Sequence, residues 1–360
     1  MMTRSSLFKL LALALLVAAL ALLGATLALA APDQPTAPTG GEPEPVATMP
    51  PVVFLSSSSS GKVDGLKFQD EDIVVFMPDN DDGTSGEWQM YFDGSDVCVG
   101  NNDVNAFELL PATVDEPYGS ILMSFDKKMR FTPSPHCPSN LGMVSDSDFI
   151  KFVYEAEPGP NTVGHFELCF DGSQHDLVTA GEDIDAITFD DQGRLIISVT
   201  GTGKVNGTAL TVRDEDLLRL NTAGPFACDP VVGPWEIYVD GSDLKLTTGA
   251  EDVNSAWIDT TVADKNIYMS TKGSYNATSV NSITGDADDV FGMTPFSLGD
   301  NSSGFFFDAI NGDVIGFNKP IDGVFIAPTS GQIMAAGAVQ AADLSMRRPT
   351  PVCNIQLKRI

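Results

Sequence analysis

The chain has 360 residues, of which 49 are acidic and 20 basic, for a formal net charge of −29. That charge excludes the clustered lysine and arginine surface on which nucleic-acid or anionic-lipid binding depends. The length suffices for one large core or a ring of small ones.

At the N-terminus, Arg4 and Lys9 precede an uncharged apolar run that ends in Ala28-Leu29-Ala30, a small-x-small cleavage signature. Residues 1–30 read as a secretory signal peptide. The alternative is an uncleaved anchor, since about 20 apolar residues suffice to cross a bilayer. Cleavage removes Arg4 and Lys9 and takes the net charge from −29 to about −31. Residues 31–51 hold seven prolines among Gly, Thr and Glu, the composition of an extended linker without a core. The expected address is outside the cytoplasm, secreted or at the cell surface, with no membrane span after cleavage and no nucleic-acid partner.

From residue 52 to 337 the sequence repeats with a period near 70 residues. Phe92-Asp93-Gly94-Ser95-Asp96 returns as Phe170-Asp171-Gly172-Ser173 and Val239-Asp240-Gly241-Ser242-Asp243, and a degraded copy is read at Phe307-Asp308. These aspartates stand 78, 69 and 68 residues apart, and Val104, Ile184, Val253 and Ile321 keep the same step. Each unit resolves into two hairpins. One runs from Ile184 to Phe189, turns at Asp190-Asp191-Gln192-Gly193 and returns through Leu195 to Ser198. The other runs from Leu217 to Leu220 and returns through Trp235 to Val239, alternating apolar and polar side chains as a half-buried strand does.

Repeated antiparallel four-strand sets predict an all-β fold, a β-propeller-like ring of about four blades. An open solenoid and a stacked sandwich are the alternatives. The pattern predicts 17 strands: a fifth copy of the return strand, residues 53–56, stands at the start without a partner before it. Ile321 to Ile326 and Ile333 to Ala336 are expected to complete that N-terminal blade and close the ring. Residues 338–360 carry four basic residues against one acidic and read as a disordered tail or the stub of a further module.

Tyr91-Phe92-Asp93-Gly94-Ser95-Asp96-Val97, Glu182-Asp183-Ile184-Asp185-Ala186 and Tyr268-Met269-Ser270-Thr271-Lys272-Gly273 resemble the tandem "YFDGSDVGL … EDVDA … LSTxG" units of a group of uncharacterised bacterial secreted and cell-surface proteins. The resemblance spans residues 53–337. It implies an exported, surface-type module and no particular activity.

Five cysteines follow the signal, and none forms a C-x-x-C pair of the kind zinc or redox chemistry requires. Cys169 holds the strand position of Tyr91 and Tyr238 and reads as a core residue. Cys137 and Cys228 lie in longer Pro-containing insertions and are the best-placed pair for a disulfide. The strongest chemical constellation is a recurring Asp-x-Asp, at Asp70/Asp72, Asp146/Asp148, Asp214/Asp216 and Asp286/Asp288. Paired carboxylates of this kind suit Ca²⁺, which takes six to eight oxygen ligands. The same residues also serve as turn caps that bond backbone N–H groups.

No catalytic residue is assigned, since no histidine lies in a nucleophile or metal frame. Trp257 is read as core or as a face for a sugar. A non-catalytic extracellular binding or structural module, stabilised by calcium, is the reading these features favour; its ligand would be a glycan or a protein. The alternative is a secreted polysaccharide-acting hydrolase or lyase on a propeller scaffold.

Overall fold

The computed structural model describes residues 50–327 except 81, 101, 134–140, 229–231 and 263–265, with backbone alone at 307–308. The signal peptide, nearly all of the linker, the basic tail, the strand expected at 333–336, His136, Cys137 and Cys353 lie outside the described residues.

The first blade begins with β1 (Val52–Ser57), a short hairpin of β2 (Gly61–Val63) and β3 (Leu66–Phe68), then β4 (Ile73–Pro78) and β5 (Gly86–Phe92). The second blade has β6 (Ala106–Leu110), β7 (Ser120–Ser124), the short pair β8 (Met129–Phe131) and β9 (Gly142–Val144), then β10 (Phe149–Tyr154) and β11 (Gly164–Phe170). The third repeats this as β12 (Ile184–Phe189), β13 (Leu195–Val199), β14 (Gly203–Val205), β15 (Leu210–Val212), β16 (Leu217–Leu220) and β17 (Trp235–Val239). The fourth has β18 (Val253–Asp259), β19 (Asn266–Thr271), β20 (Tyr275–Thr278), β21 (Ser282–Gly285), β22 (Val290–Ser297) and β23 (Ser303–Ile310). Last comes β24 (Ile321–Ala327).

The protein is a four-bladed β-propeller. Its four-stranded antiparallel sheets run β24-β1-β4-β5, β6-β7-β10-β11, β12-β13-β16-β17 and β18-β19-β22-β23. The innermost strands β6, β12, β18 and β24 pack against one another round the axis. The C-terminal β24 pairs antiparallel with β1, so the first blade is built from both ends of the described chain and the ring is closed. That closure, expected from residues 321–326, leaves β1 paired on both sides, with β24 and with β4.

The core lies between blades. Both faces of each sheet are covered by neighbours, so β1 and β4 are buried along their whole length. Alternate residues of one strand serve different cores: Val52 and Phe54 pack toward the second blade with Phe107 and Ile121. Val53 and Leu55 pack toward the fourth with Trp257 and Val290. Similar clusters fill the remaining two junctions. Trp257 is thus buried core beside Tyr268 and Phe325 and presents no face to a sugar.

Three expectations are corrected. Four short hairpins, each between the second and third strands of a blade, were not foreseen; strands of three or four residues are too short to show a period. Cys228 is bonded to Cys169, joining the outer strand of the second blade to a loop of the third, and not to Cys137. Cys169 is therefore both core and half of a bridge; Cys98 is disulfide-bonded as well. The fourth copy of the acidic turn is not Phe307-Asp308, which lies inside β23, but Asn311-Gly312.

Candidate functional site

Each outer strand runs into a single helical turn: Gly94–Val97, Gly172–His175, Gly241–Leu244 and Gly312–Ile315. Asp93, Asp171 and Asp240 cap the first three by accepting from the N–H of Ser95, Ser173 and Ser242. Asn311 caps the fourth from Val314. The glycine that follows each cap is required by space and not by φ. A Cβ there would lie 2.5, 2.1, 2.1 and 2.2 Å from the carbonyl oxygens of Glu71, Ser147, Glu215 and Asp288, well inside contact distance.

The second aspartate of the Asp-x-Asp pair ties this turn to the one before the third strand. Asp72, Asp148 and Asp216 each accept through Oδ1 from the N–H of Gly94, Gly172 and Gly241 at 3.1, 3.0 and 3.1 Å. Through Oδ2 they accept from Gln69, Ser145 and Arg213. In the fourth blade this part belongs to Asp289, which bonds the N–H groups of Gly312 and Asp286. The pair read as Asp286/Asp288 is therefore one residue out of register, and its true counterparts are Ala287 and Asp289. All four carboxyls are turn caps with both oxygens engaged by amides. Among the described residues no three acidic, cysteine or histidine side chains converge as a metal centre would require.

The first aspartate of each pair lies at a junction between blades. Its carbonyl accepts from an N–H at the entry to the next innermost strand: Asp70 from Val104, Asp146 from Ile184, Asp214 from Val253 and, in the fourth blade, Ala287 from Ile321. This bond explains why Val104, Ile184, Val253 and Ile321 keep the repeat's step. It also brings Asp70 toward Asp103, Asp146 toward Asp183 and Asp214 toward Asp252. At the closing junction Ala287 and Pro320 replace both carboxyls. Burial, with the charge of Asp146, pushes Asp183 up to about 6. Burial, with the charge of Asp214, pushes Asp252 up to about 7. An open cleft of about 320 Å³ between the second and third blades holds Asp146, Asp183, Asp148, Asp171 and Lys128.

Nearest the axis stand Asn105, Asp185, Asn254 and Asp322, all more than nine-tenths buried. Three of them are bulge residues, left out of the ladder where the pairing of β12 with β13, β18 with β19 and β24 with β1 shifts register. A bulge re-aims a side chain. Asn105 donates through Nδ2 to the Ile184 carbonyl at 3.0 Å, and Asn254 to the Ile321 carbonyl at 2.9 Å. A serine of the second strand backs the ring: Ser56 donates to Asp322 Oδ1 at 2.7 Å, and Ser270 to Asn254 Oδ1 at 3.0 Å. An Asp or Asn recurs at 105, 185, 254 and 322 in the sequence, but nothing local to those residues shows their convergence.

Glu182 and Glu251 were also missed as structural residues. Glu182 accepts from the N–H groups of Val178, Thr179 and Lys204, and Glu251 from Thr247, Thr248 and Asn276, so each pins a loop and a short hairpin together. Trp235 donates through Nε1 to the carbonyl of His175, and Trp88 to that of Ile315, each reaching the helical turn of the preceding blade. His175 is buried and stacks on Phe170, whereas His165 is half-exposed beside Glu155.

No family model matches the chain, and no curated protein matches it. Among solved structures, the PQQ-bound aldose sugar dehydrogenase of Streptomyces coelicolor is similar over 62% of this chain and 92% of that one, at 10% identity and a TM-score of 0.26. A likeness that remote carries no argument about activity or cofactor.

Proposed function

We propose that the chain is an exported, non-catalytic binding or structural module that works outside the cytoplasm. The observation that supports this reading is the use made of the recurring acidic residues. The same carboxyl caps the same two turns in all four blades, and the first aspartates sit at three successive junctions. Chemistry that turns over a substrate needs one acid and one base in one place, with environments that separate their pKa values. A scaffold needs the same device in every blade.

Calcium belongs to the same proposal as a stabiliser of an acidic exterior, and the ligand class is glycan or protein. The test is a glycan-array and protein-binding screen of secreted full-length material, with and without chelator, beside turnover assays on common polysaccharides and esters. N-terminal sequencing of that material should begin near Ala31. Retention of Met1 would mean an anchor in place of a cleaved signal.

The second reading, a polysaccharide-acting hydrolase or lyase, draws on the cleft between the second and third blades. There Asp183, pushed up to about 6, stands beside Asp146, the kind of pair in which one carboxyl holds a proton near neutral pH. Turnover abolished by Asp183→Asn in a folded protein would replace the first reading with this one.

A further inference from the structure

We propose that the ring is latched by a carboxyl group that stays protonated in the folded protein, Asp322 sharing a proton with Asp103, so that closure of the propeller depends on pH. The inference concerns the closure device and stands whether or not the module binds a glycan.

The four axial positions alternate amide and acid: Asn105, Asp185, Asn254, Asp322. The amides donate a proton to the carbonyl that heads the neighbouring innermost strand. An ionised carboxylate in the same place has nothing to donate, whereas a neutral acid does. The acids, moreover, do not stand alone. Asp322 and Asp103 are within hydrogen-bonding contact of each other, and Asp185 feels the charge of Asp252. Asp322 Oδ1 is satisfied by Ser56, but Asp322 Oδ2 and Asp103 Oδ1 have no donor, nor do Asp185 Oδ1 and Asp252 Oδ1. All four residues are nine-tenths buried or more. Two carboxylates facing each other out of water cannot both ionise; one proton between them supplies the missing donor and removes the repulsion.

The place matters as much as the chemistry. Asp322 lies on β24, the strand that closes the ring, and its partners Ser56 and Asp103 belong to β1 and to the loop entering β6. The pair therefore clamps the closing strand to both neighbours at once. Other charges of both signs face these groups. Asp70, Asp126 and Lys127 lie around Asp103. Asp214 and the largely exposed Lys272, its ammonium 3.7 Å from Asp252, lie around Asp252. Of the strands packed against β24 and β12, β1, β7, β13 and β19 bring no charged side chain; β6 adds Glu108 and β18 adds Asp259. A divalent cation is the other way to neutralise such a pair. It seeks six to eight oxygens, and among the described residues no three acidic, cysteine or histidine side chains are grouped closely enough to hold one.

Burial pushes Asp103 up to about 7 and Asp322 and Asp185 well above the ordinary carboxylate range. A group whose folded pKa is raised stabilises the fold at low pH and loses that stabilisation as pH rises through the folded value. Between the ordinary carboxylate pKa of about 4 and about 7, the Asp103–Asp322 pair can change the folding equilibrium by up to roughly a thousandfold.

The experiment is thermal melting of the full chain from about pH 5 to 8.5, in EDTA, in CaCl₂ and in NaCl of matched ionic strength, for the wild type, Asp322→Asn and Asp103→Asn. Expected is a wild-type melting temperature that falls as pH rises. Asp322→Asn should flatten that fall and melt above wild type at the alkaline end, because asparagine donates at every pH. Should Asp322→Asn fail to fold, Asp103→Asn removes the same proton-sharing pair and must flatten the fall in its place. A wild-type melting temperature that is level or rises with pH overturns the proposal, as do folded variants that keep the wild-type slope. Recovery of the alkaline loss by Ca²⁺ but not by Na⁺ overturns it in favour of a cation.

Discussion

Replacing Cys228 by alanine isolates the contribution of the bridge to Cys169. Cys228 is exposed at the surface of its loop, so the substitution opens no cavity, while Cys169 stays packed as a thiol in the outer strand of the second blade. The bridge spans 59 residues and ties two blades together. Loop-closure entropy for a loop of that length amounts to about 4 kcal/mol of lost unfolded-state freedom. For a domain of roughly 280 residues this corresponds to a melting temperature lower by about 7 °C. Circular dichroism melts of wild type and Cys228→Ala without reductant measure the shift, and the bridge at Cys98 is left in place as an internal control. Non-reducing peptide mapping checks the pairing directly. A shift under about 2 °C would refute the entropic reasoning. A peptide joining Cys228 to Cys137 would refute the pairing itself.

Three further outcomes follow from the blade junctions. Gly241→Ala places a Cβ 2.1 Å from the Glu215 carbonyl and should cost about 3 kcal/mol in chemical denaturation, whereas Gly249→Ala, with nothing within 4 Å, should stay within about 0.5 kcal/mol of wild type. Asp216→Ala removes the acceptor of the Arg213 and Gly241 amides and should cost about 2–4 kcal/mol; no loss would mean that water replaces the cap. Burial pushes Asp72 and Asp216 up to about 6, so the folded state holds their protons more tightly than the unfolded one. Their stabilisation is complete below an ordinary carboxylate pKa of about 4 and is lost as pH rises through about 6, so the urea midpoint should be higher at pH 5 than at pH 7.5. The opposite order would show that the caps are held as carboxylates.

Much of the fold was legible because blades repeat. The alternation in Trp235, Ile237 and Val239, the glycine after each capping aspartate and the stray copy at residues 53–56 are local or periodic signals, and they determined the all-β class, four blades and closure by the C-terminal strand. That these glycines are spacing residues is not local information, since only the folded junction brings the Glu215 carbonyl against Gly241. The fourth unit misled because its outer strand runs on to Ile310, which puts the cap at Asn311 in place of Asp308, and because the paired carboxyl there is Asp289 and not Asp288. Which cysteine meets Cys228 depends on how two blades face each other, and nothing local to either cysteine encodes it. The carboxyl pairs at the axis lie furthest from sequence reasoning. Asp103 and Asp322 are separated by three blades in the chain and brought together when β24 pairs with β1, so tertiary closure alone decides that they share one buried place and, with it, one proton.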